Sequence, residues 1–166
     1  ISRIESRQGG ARYETLHRLQ QELLTSIDAT STMLVKDVLT RKHDARSSGY
    51  ELFAVAPEET LETAVEQMEG LNISQLPVIE ASGQSAGRLT ERYLLNVTDL
   101  TTEVRRHMRT PFPEIPADAP ATLARDLLDT NEAVLITPGQ TDLVDLDGNP
   151  YVGILTPSDF ARVEQV

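Results

Sequence analysis

The chain has 166 residues, 39% of them hydrophobic and only 4% aromatic, with 26 acidic against 15 basic side chains and a net charge of −11. That is material for one ordinary domain or two small ones with an aliphatic core. There is no Cys, so disulfides and thiolate metal sites are excluded; no run approaches a membrane span, no secretory pattern is visible, and a cytoplasmic protein is expected. So acidic a surface repels nucleic acid unless basic residues gather elsewhere. It suits a high-salt cytoplasm as well as ordinary solubility, and the charge alone does not choose between them.

In chain order, residues 1–24 read as helical. Ile1 and Ile4 belong to one short segment, Gln8-Gly9-Gly10 breaks it, and Leu16, Leu19, Leu23 and Leu24 mark a second helix. Arg3 and Arg7 are four apart and share a face if the first helix reaches Arg7. Arginines of this kind contact DNA phosphates and base edges, or simply keep a short helix soluble; Glu5, Glu14 and Glu22 nearly balance them. Ser26 to Ser31 is a polar linker. Val35 to Leu39 opens the next unit. Arg41 to Gly49 is charged and reads as a loop; Lys42, His43 and Arg46 either touch an anionic ligand or, the favoured reading, stand solvated.

Leu52 to Val55 is a short apolar strand. Thr60 caps a helix whose buried stripe is Leu61, Ala64, Val65 and Met68, and Gly70 ends it. Leu76–Ile79 and Ala86–Leu89 are strands about the turn Ala81-Ser82-Gly83, and Glu91 to Val97 is a closing helix. Val104 and Met108 indicate helix, after which Pro111, Pro113 and Pro116 force an extended crossing. A helix follows through Leu123, Ala124, Leu127 and Leu128. Ala133 to Ile136 is a buried strand that Leu143 to Leu146 prolongs, and Asp147-Gly148-Asn149-Pro150 is a turn.

The last stretch, Gly153-Ile154-Leu155-Thr156-Pro157-Ser158-Asp159, reads as a buried strand handing over to a helix that displays Thr156, Ser158 and Asp159. Two readings stand. Ser158 or Asp159 caps the helix. Alternatively, the unpaired N–H groups at the helix start face a phosphate while the carboxylate accepts from ribose hydroxyls.

The chain also repeats itself. Gly87-Arg88-Leu89-Thr90 is echoed by Gly153-Ile154-Leu155-Thr156, Thr60 to Met68 by Pro120 to Leu128, and Val35 to Thr40 by Val104 to Arg109. Each copy reads as strand, helix, strand, strand, helix. With Leu76-Pro77-Val78-Ile79 followed by Gly87 and Thr90, the pattern resembles the tandem CBS domain pair, or Bateman module. The resemblance implies an α/β (α+β) fold of two β-α-β-β-α repeats packed about a pseudo-two-fold axis. The domains would be residues 35–100 and 101–166, behind residues 1–28. It implies an adenosine-containing effector such as AMP, ATP or S-adenosylmethionine, with no cofactor required. Gly153, Thr156, Ser158 and Asp159 would be the ligand-binding residues, Thr156 and Asp159 on the ribose. Tyr93 stands where the first copy would need that carboxylate, so the first copy is not expected to grip a ribose in this way.

Ser2-Arg3-Ile4-Glu5, with the Thr15-Leu16 and Leu19 spacing, resembles the end of a phage-repressor-type helix-turn-helix domain. Archaeal regulators join such a domain to a CBS pair. That resemblance implies a homodimeric transcriptional regulator reaching DNA through a complete N-terminal domain, with Ser2, Arg3 and Arg7 at the DNA. The alternative is a regulatory or dimerisation module acting on an enzyme or transporter. No base-and-nucleophile arrangement or Gly-rich phosphate loop is present in the sequence, and no membrane contact and no catalysis are expected.

Overall fold

The computed structural model describes residues 14–21, 33–44, 51–145 and 148–163. Ser2, Arg3 and Arg7 lie outside them. Residues 14–21 form helix α1, on which Leu16 and Leu19 are 66% and 50% exposed. Helix α2 is Val35–Asp44 and α3 is Leu61–Leu71; the hairpin of β1 (Gln75–Ile79) and β2 (Ser85–Thr90) follows, then the short α4 (Glu91–Leu94). A 3-10 turn at Val104–Arg106 leads into β3 (Glu114–Pro116), α5 (Ala121–Leu128), β4 (Val134–Thr137), β5 (Gly153–Leu155) and α6 (Pro157–Val163). The fold is mixed α/β, built from two tandem repeats.

Strands β1 and β2 pair antiparallel, with Leu76 opposite Leu89 and Val78 opposite Gly87. In the other sheet β3 runs parallel to β4 and β4 antiparallel to β5, with Ile136 opposite Gly153. The expected strand at Leu52–Val55 shrinks to one parallel bridge between Val55 and Val78. The Leu143–Leu146 extension is not a strand over Leu143 to Asp145. Helix α3 passes through Gly70 and ends on Asn72, whose φ of 53° places it in the left-handed region and lets its N–H reach Glu69 O and Met68 O. Asn tolerates that conformation because its short polar side chain can bond locally.

Each repeat lends its opening segment to the other. Val35, Val38 and Leu39 of α2 are fully buried, and they pack with Ile115, Ala124, Val134, Ile136, Leu155 and Phe160 of the second repeat. Backbone bonds fix the exchange: Val35 N donates to Ala119 O at 2.9 Å and Lys36 N to Ala117 O at 2.8 Å. In return Val104 is buried in the first repeat's core beside Leu61, Leu76 and Leu89. Its N–H donates to Glu59 O at 2.8 Å. A third cluster of Leu52, Ile79, Phe112, Ala133, Leu135 and Tyr151 joins the two halves. Burial of aliphatic area, at about 25 cal/mol per Å², is the driving term in all three.

The exchange explains both signature glycines. A Cβ on Gly153 would sit 2.6 Å from Leu39 Cδ1 of the incoming α2. A Cβ on Gly87 would sit 2.8 Å from Arg109 O and 2.9 Å from Met108 Cβ of the incoming linker. At Gly87 only glycine lets the two backbones approach so closely, and at Gly153 only glycine leaves room for the Leu39 side chain as it stands.

Candidate functional site

Strand β5 ends at Leu155, and Thr156 turns the chain into α6. Pro157 occupies the first helical position, where its missing N–H costs nothing. Asp159 Oδ2 reaches back to accept from Thr156 N at 2.8 Å and from Thr156 Oγ1 at 3.1 Å, while Asp159 N donates to Thr156 O at 3.0 Å. The carboxylate's return to the Thr156 amide is one half of a capping box, with Asp in the place usually held by Glu or Gln; the Asp159 amide goes to the Thr156 carbonyl rather than to its hydroxyl. The hydroxyls of Thr156 and Ser158 lie 2.9 Å apart.

Asp159 has a further partner that sequence reasoning assigned to a solvated loop. Helix α2 continues through Arg41, Lys42 and His43 to Asp44. Lys42 lies on the inward face, and its Nζ donates to Ile154 O at 2.6 Å and to Asp159 Oδ2 at 3.0 Å. Both side chains are buried, at 9% and 3% exposure. The signal was present in the spacing: Val35, Val38, Leu39 and Lys42 lie on one helical face, so the apolar stripe ends in a lysine whose stem packs and whose charge needs a partner.

These residues edge a cleft of about 200 Å³. The second repeat contributes Gly153, Ile154, Thr156 and Ser158, the first contributes Gln75 and Pro77, and α2 contributes Lys42. Three of the four sequence-predicted ligand residues, Gly153, Thr156 and Ser158, thus line one cavity. Asp159 stands behind them, 4% exposed. Gly153 also serves the packing of Leu39. The segment between Thr137 and Asp142 contributes nothing to the cleft's lining; there Gly139 packs against Pro116 and Asp118.

A second cleft, of about 340 Å³, stands at the matching place of the first repeat, with Arg88, Thr90, Arg92, Tyr93, Arg109 and Glu132 among its lining. Here no carboxylate returns to the helix cap. Thr90 makes no side-chain cap bond, and α4 is four residues long. The Arg109 guanidinium lies 4.7 Å from the centroid of the Tyr93 ring, and that of Arg88 lies 5.4 Å from Phe112. No group of three His, Cys, Asp or Glu side chains among the described residues could hold a metal ion, and no helix among them is long and apolar enough to cross a membrane.

Comparison with known proteins places this architecture. Residues 35–99 match the family model of the CBS domain. No curated protein matches the chain. Among solved structures it is similar to a hemolysin-like protein containing a CBS domain from Oenococcus oeni, at 14% identity over 84% of this chain and 95% of that one, with a TM-score of 0.60. It is similar to a conserved CBS domain protein of Thermoplasma acidophilum, at 24% identity over 78% of this chain and 68% of that one, with a TM-score of 0.56. A protein of Methanocaldococcus jannaschii gives 16% identity and a TM-score of 0.60, over 79% of this chain and 58% of that one, so the chain spans under two thirds of its length. At such identities the likeness is one of fold. CBS domains are non-catalytic modules that bind adenosyl-group ligands as a family trait. Residues 35–99 match the CBS domain model, and the chain carries a CBS-like fold as a tandem of repeats.

Proposed function

We propose that this chain is the ligand-sensing regulatory module of a cytosolic protein, and that its second cleft takes an adenosine-containing ligand. The observation that carries the reading is the convergence of Thr156, Ser158 and Lys42 around the Asp159 carboxylate at the edge of a cavity. A ribose diol offers two hydroxyl donors to a carboxylate that now accepts from Lys42. Lys42 in turn offers a cation to a phosphate. The cavity is smaller than the roughly 300–1,000 Å³ of ordinary small-molecule sites, so binding requires Lys42 to yield. Release of Lys42 frees the end of α2, the element that joins the preceding chain to both repeats. A ligand that favours the released arrangement shifts the population of the two states.

Output through protein contacts, onto an enzyme or transporter, is the reading the fold supports best. The division into residues 1–28, 35–100 and 101–166 belongs to this reading. A groove of about 520 Å³ between α3 and α4, lined by Val65, Met68, Leu94 and Leu95 with Glu69 and Glu91 among them and with Leu95 78% exposed, suits pairing into a homodimer. Light scattering that returns 18.3 kDa at every concentration contradicts the pairing. The transcription-regulator reading keeps one favourable observation: Leu16 and Leu19 stand exposed on α1, as they would if the helices of a repressor-type head covered them. Anisotropy with the full-length protein and its own promoter DNA at two salt concentrations tests it, and no salt-dependent binding rejects it.

Calorimetry with AMP, ATP and S-adenosylmethionine tests the ligand reading directly. At least one of the three is expected to bind wild type, and Asp159→Asn is expected to weaken it about thirty-fold, equivalent to about 2 kcal/mol. Ser158→Ala, at an exposed position, is expected to weaken it less without altering the fold. Failure of all three ligands to bind wild type rejects the adenosyl reading.

A further inference from the structure

The first cleft is built for a different ligand from the second. Arg88 and Arg109 are bridge partners: Arg88 N donates to Arg109 O at 3.0 Å and Arg109 N to Arg88 O at 2.9 Å. Like charges directly opposite one another in an antiparallel pair are destabilising. A third cation, Arg92, projects from α4 into the same cavity. The ion pairs Lys42–Asp159, Arg105–Glu58 and Arg105–Glu103 lie elsewhere, and among the described residues Arg88, Arg92 and Arg109 enter no ion pair. One carboxylate, Glu132, lines the cleft with them. In a chain of net charge −11 this leaves a local excess of positive charge that the protein's own groups do not neutralise.

We propose that this cleft is a site for a compact polyanion, specifically a diphosphate or triphosphate group, held by Arg88, Arg92 and Arg109. Arg109 stacks on Tyr93 and Arg88 on Phe112, which fixes the planes of both guanidiniums and leaves their N–H edges to donate. Planar, bidentate donation to neighbouring phosphates is what guanidinium supplies best. Two or three guanidiniums outweigh Glu132 only for a ligand of high charge density, so linked phosphates are favoured over a single one. Tyr93 cannot accept from two ribose hydroxyls in the manner of a carboxylate, so the grip is on phosphate and not on sugar. A cavity of about 340 Å³ suits a small molecule rather than a nucleic-acid strand, which the acidic surface repels in any case. Among the described residues the second cleft has no arginine in its lining, and its one lysine is paired with Asp159 until a ligand displaces it, so it lacks the charge density for linked phosphates.

The site stands apart from the adenosyl reading of the second cleft, and the test separates them. Inorganic pyrophosphate, tripolyphosphate and orthophosphate are titrated calorimetrically without divalent metal at low and moderate salt. Pyrophosphate and tripolyphosphate are expected to bind once per chain, at least ten-fold tighter than orthophosphate, and to weaken as salt rises. Arg92→Gln and Arg109→Gln, both at exposed positions, should each lower pyrophosphate affinity at least ten-fold with unchanged melting temperature. Glu132→Gln should raise it, and Asp159→Asn should leave it alone. Absence of pyrophosphate binding at low salt overturns the proposal. So does binding that survives both arginine variants, or binding that Asp159→Asn abolishes.

Discussion

Lys42 Nζ lies 3.0 Å from Asp159 Oδ2, so a helix that opens the first repeat is pinned to the signature of the second by one buried ion pair. The pair holds because its other valences are met. Lys42 also donates to Ile154 O, and Asp159 also accepts from the Thr156 amide and hydroxyl. Removing one partner strands the other charge in a site with little water.

The first prediction follows from that geometry. Lys42→Met should destabilise the protein by about 3–5 kcal/mol, because an unpaired buried carboxylate remains. For a chain of this size that lowers the melting temperature on the order of 10 °C. Lys42→Met with Asp159→Asn should recover part of the loss, since the stranded charge is gone. Thermal melts of the two single variants and the double variant give the coupling; strict additivity would show that the pair does not act as a unit.

The glycines give a ranked series. At Gly87 a methyl group meets backbone, Arg109 O at 2.8 Å, which cannot move without breaking the bridge to Arg88. At Gly153 it meets Leu39 Cδ1 at 2.6 Å, a side-chain end that can rotate but is fully buried. At Gly70, inside α3, nothing lies within 4 Å. Gly87→Ala should therefore destabilise most and Gly153→Ala less. Gly70→Ala should stabilise by about 0.5–1 kcal/mol through its helix propensity. Urea midpoints of the three variants test the order.

Tyr151 ties the halves together at the third core cluster. Its hydroxyl donates to Glu114 Oε1 at 2.6 Å and accepts from Ser85 N at 3.1 Å. Burial, and then the Glu114 carboxylate, push its pKa above the ordinary 10.0. The folded state therefore keeps this proton where the unfolded chain has lost it. The stability it contributes is complete below pH 10 and is lost as the pH rises from there through the raised value. Tyr151→Phe should cost about 1–3 kcal/mol at neutral pH, because the buried Ser85 amide loses its acceptor. It should also flatten the alkaline limb of the stability curve, and equal alkaline slopes for both proteins would count against the assignment.

Much of this fold was legible because periodicity and turn chemistry agreed. Of the stripe Leu61, Ala64, Val65 and Met68 all but Val65, which is half-buried, are buried as the spacing requires, and Thr60 caps α3 by accepting from Thr63 N. The repeat of Gly87 to Thr90 in Gly153 to Thr156 located two matching strand-to-helix corners. Three things were not fully legible. Asn72 replaces Gly70 as the helix end because a left-handed cap depends on local φ, which Asn also tolerates. Lys42 looked like part of a charged loop because its partners lie more than a hundred positions away and only the fold joins them. The three arginines of the first cleft sit on β2, α4 and the linker, and nothing in their spacing shows that Arg88 and Arg109 face one another.

The central claim is that ligand binding at the second cleft transfers Asp159 from Lys42 to the ligand. Hydrogen exchange of the wild-type protein, with and without saturating AMP, ATP or S-adenosylmethionine, tests this most directly. The account predicts that at least one of them slows exchange at the start of α6, including the Thr156 amide, and speeds it in the last turn of α2 around Lys42. Identical exchange in both segments under all three ligands would contradict it.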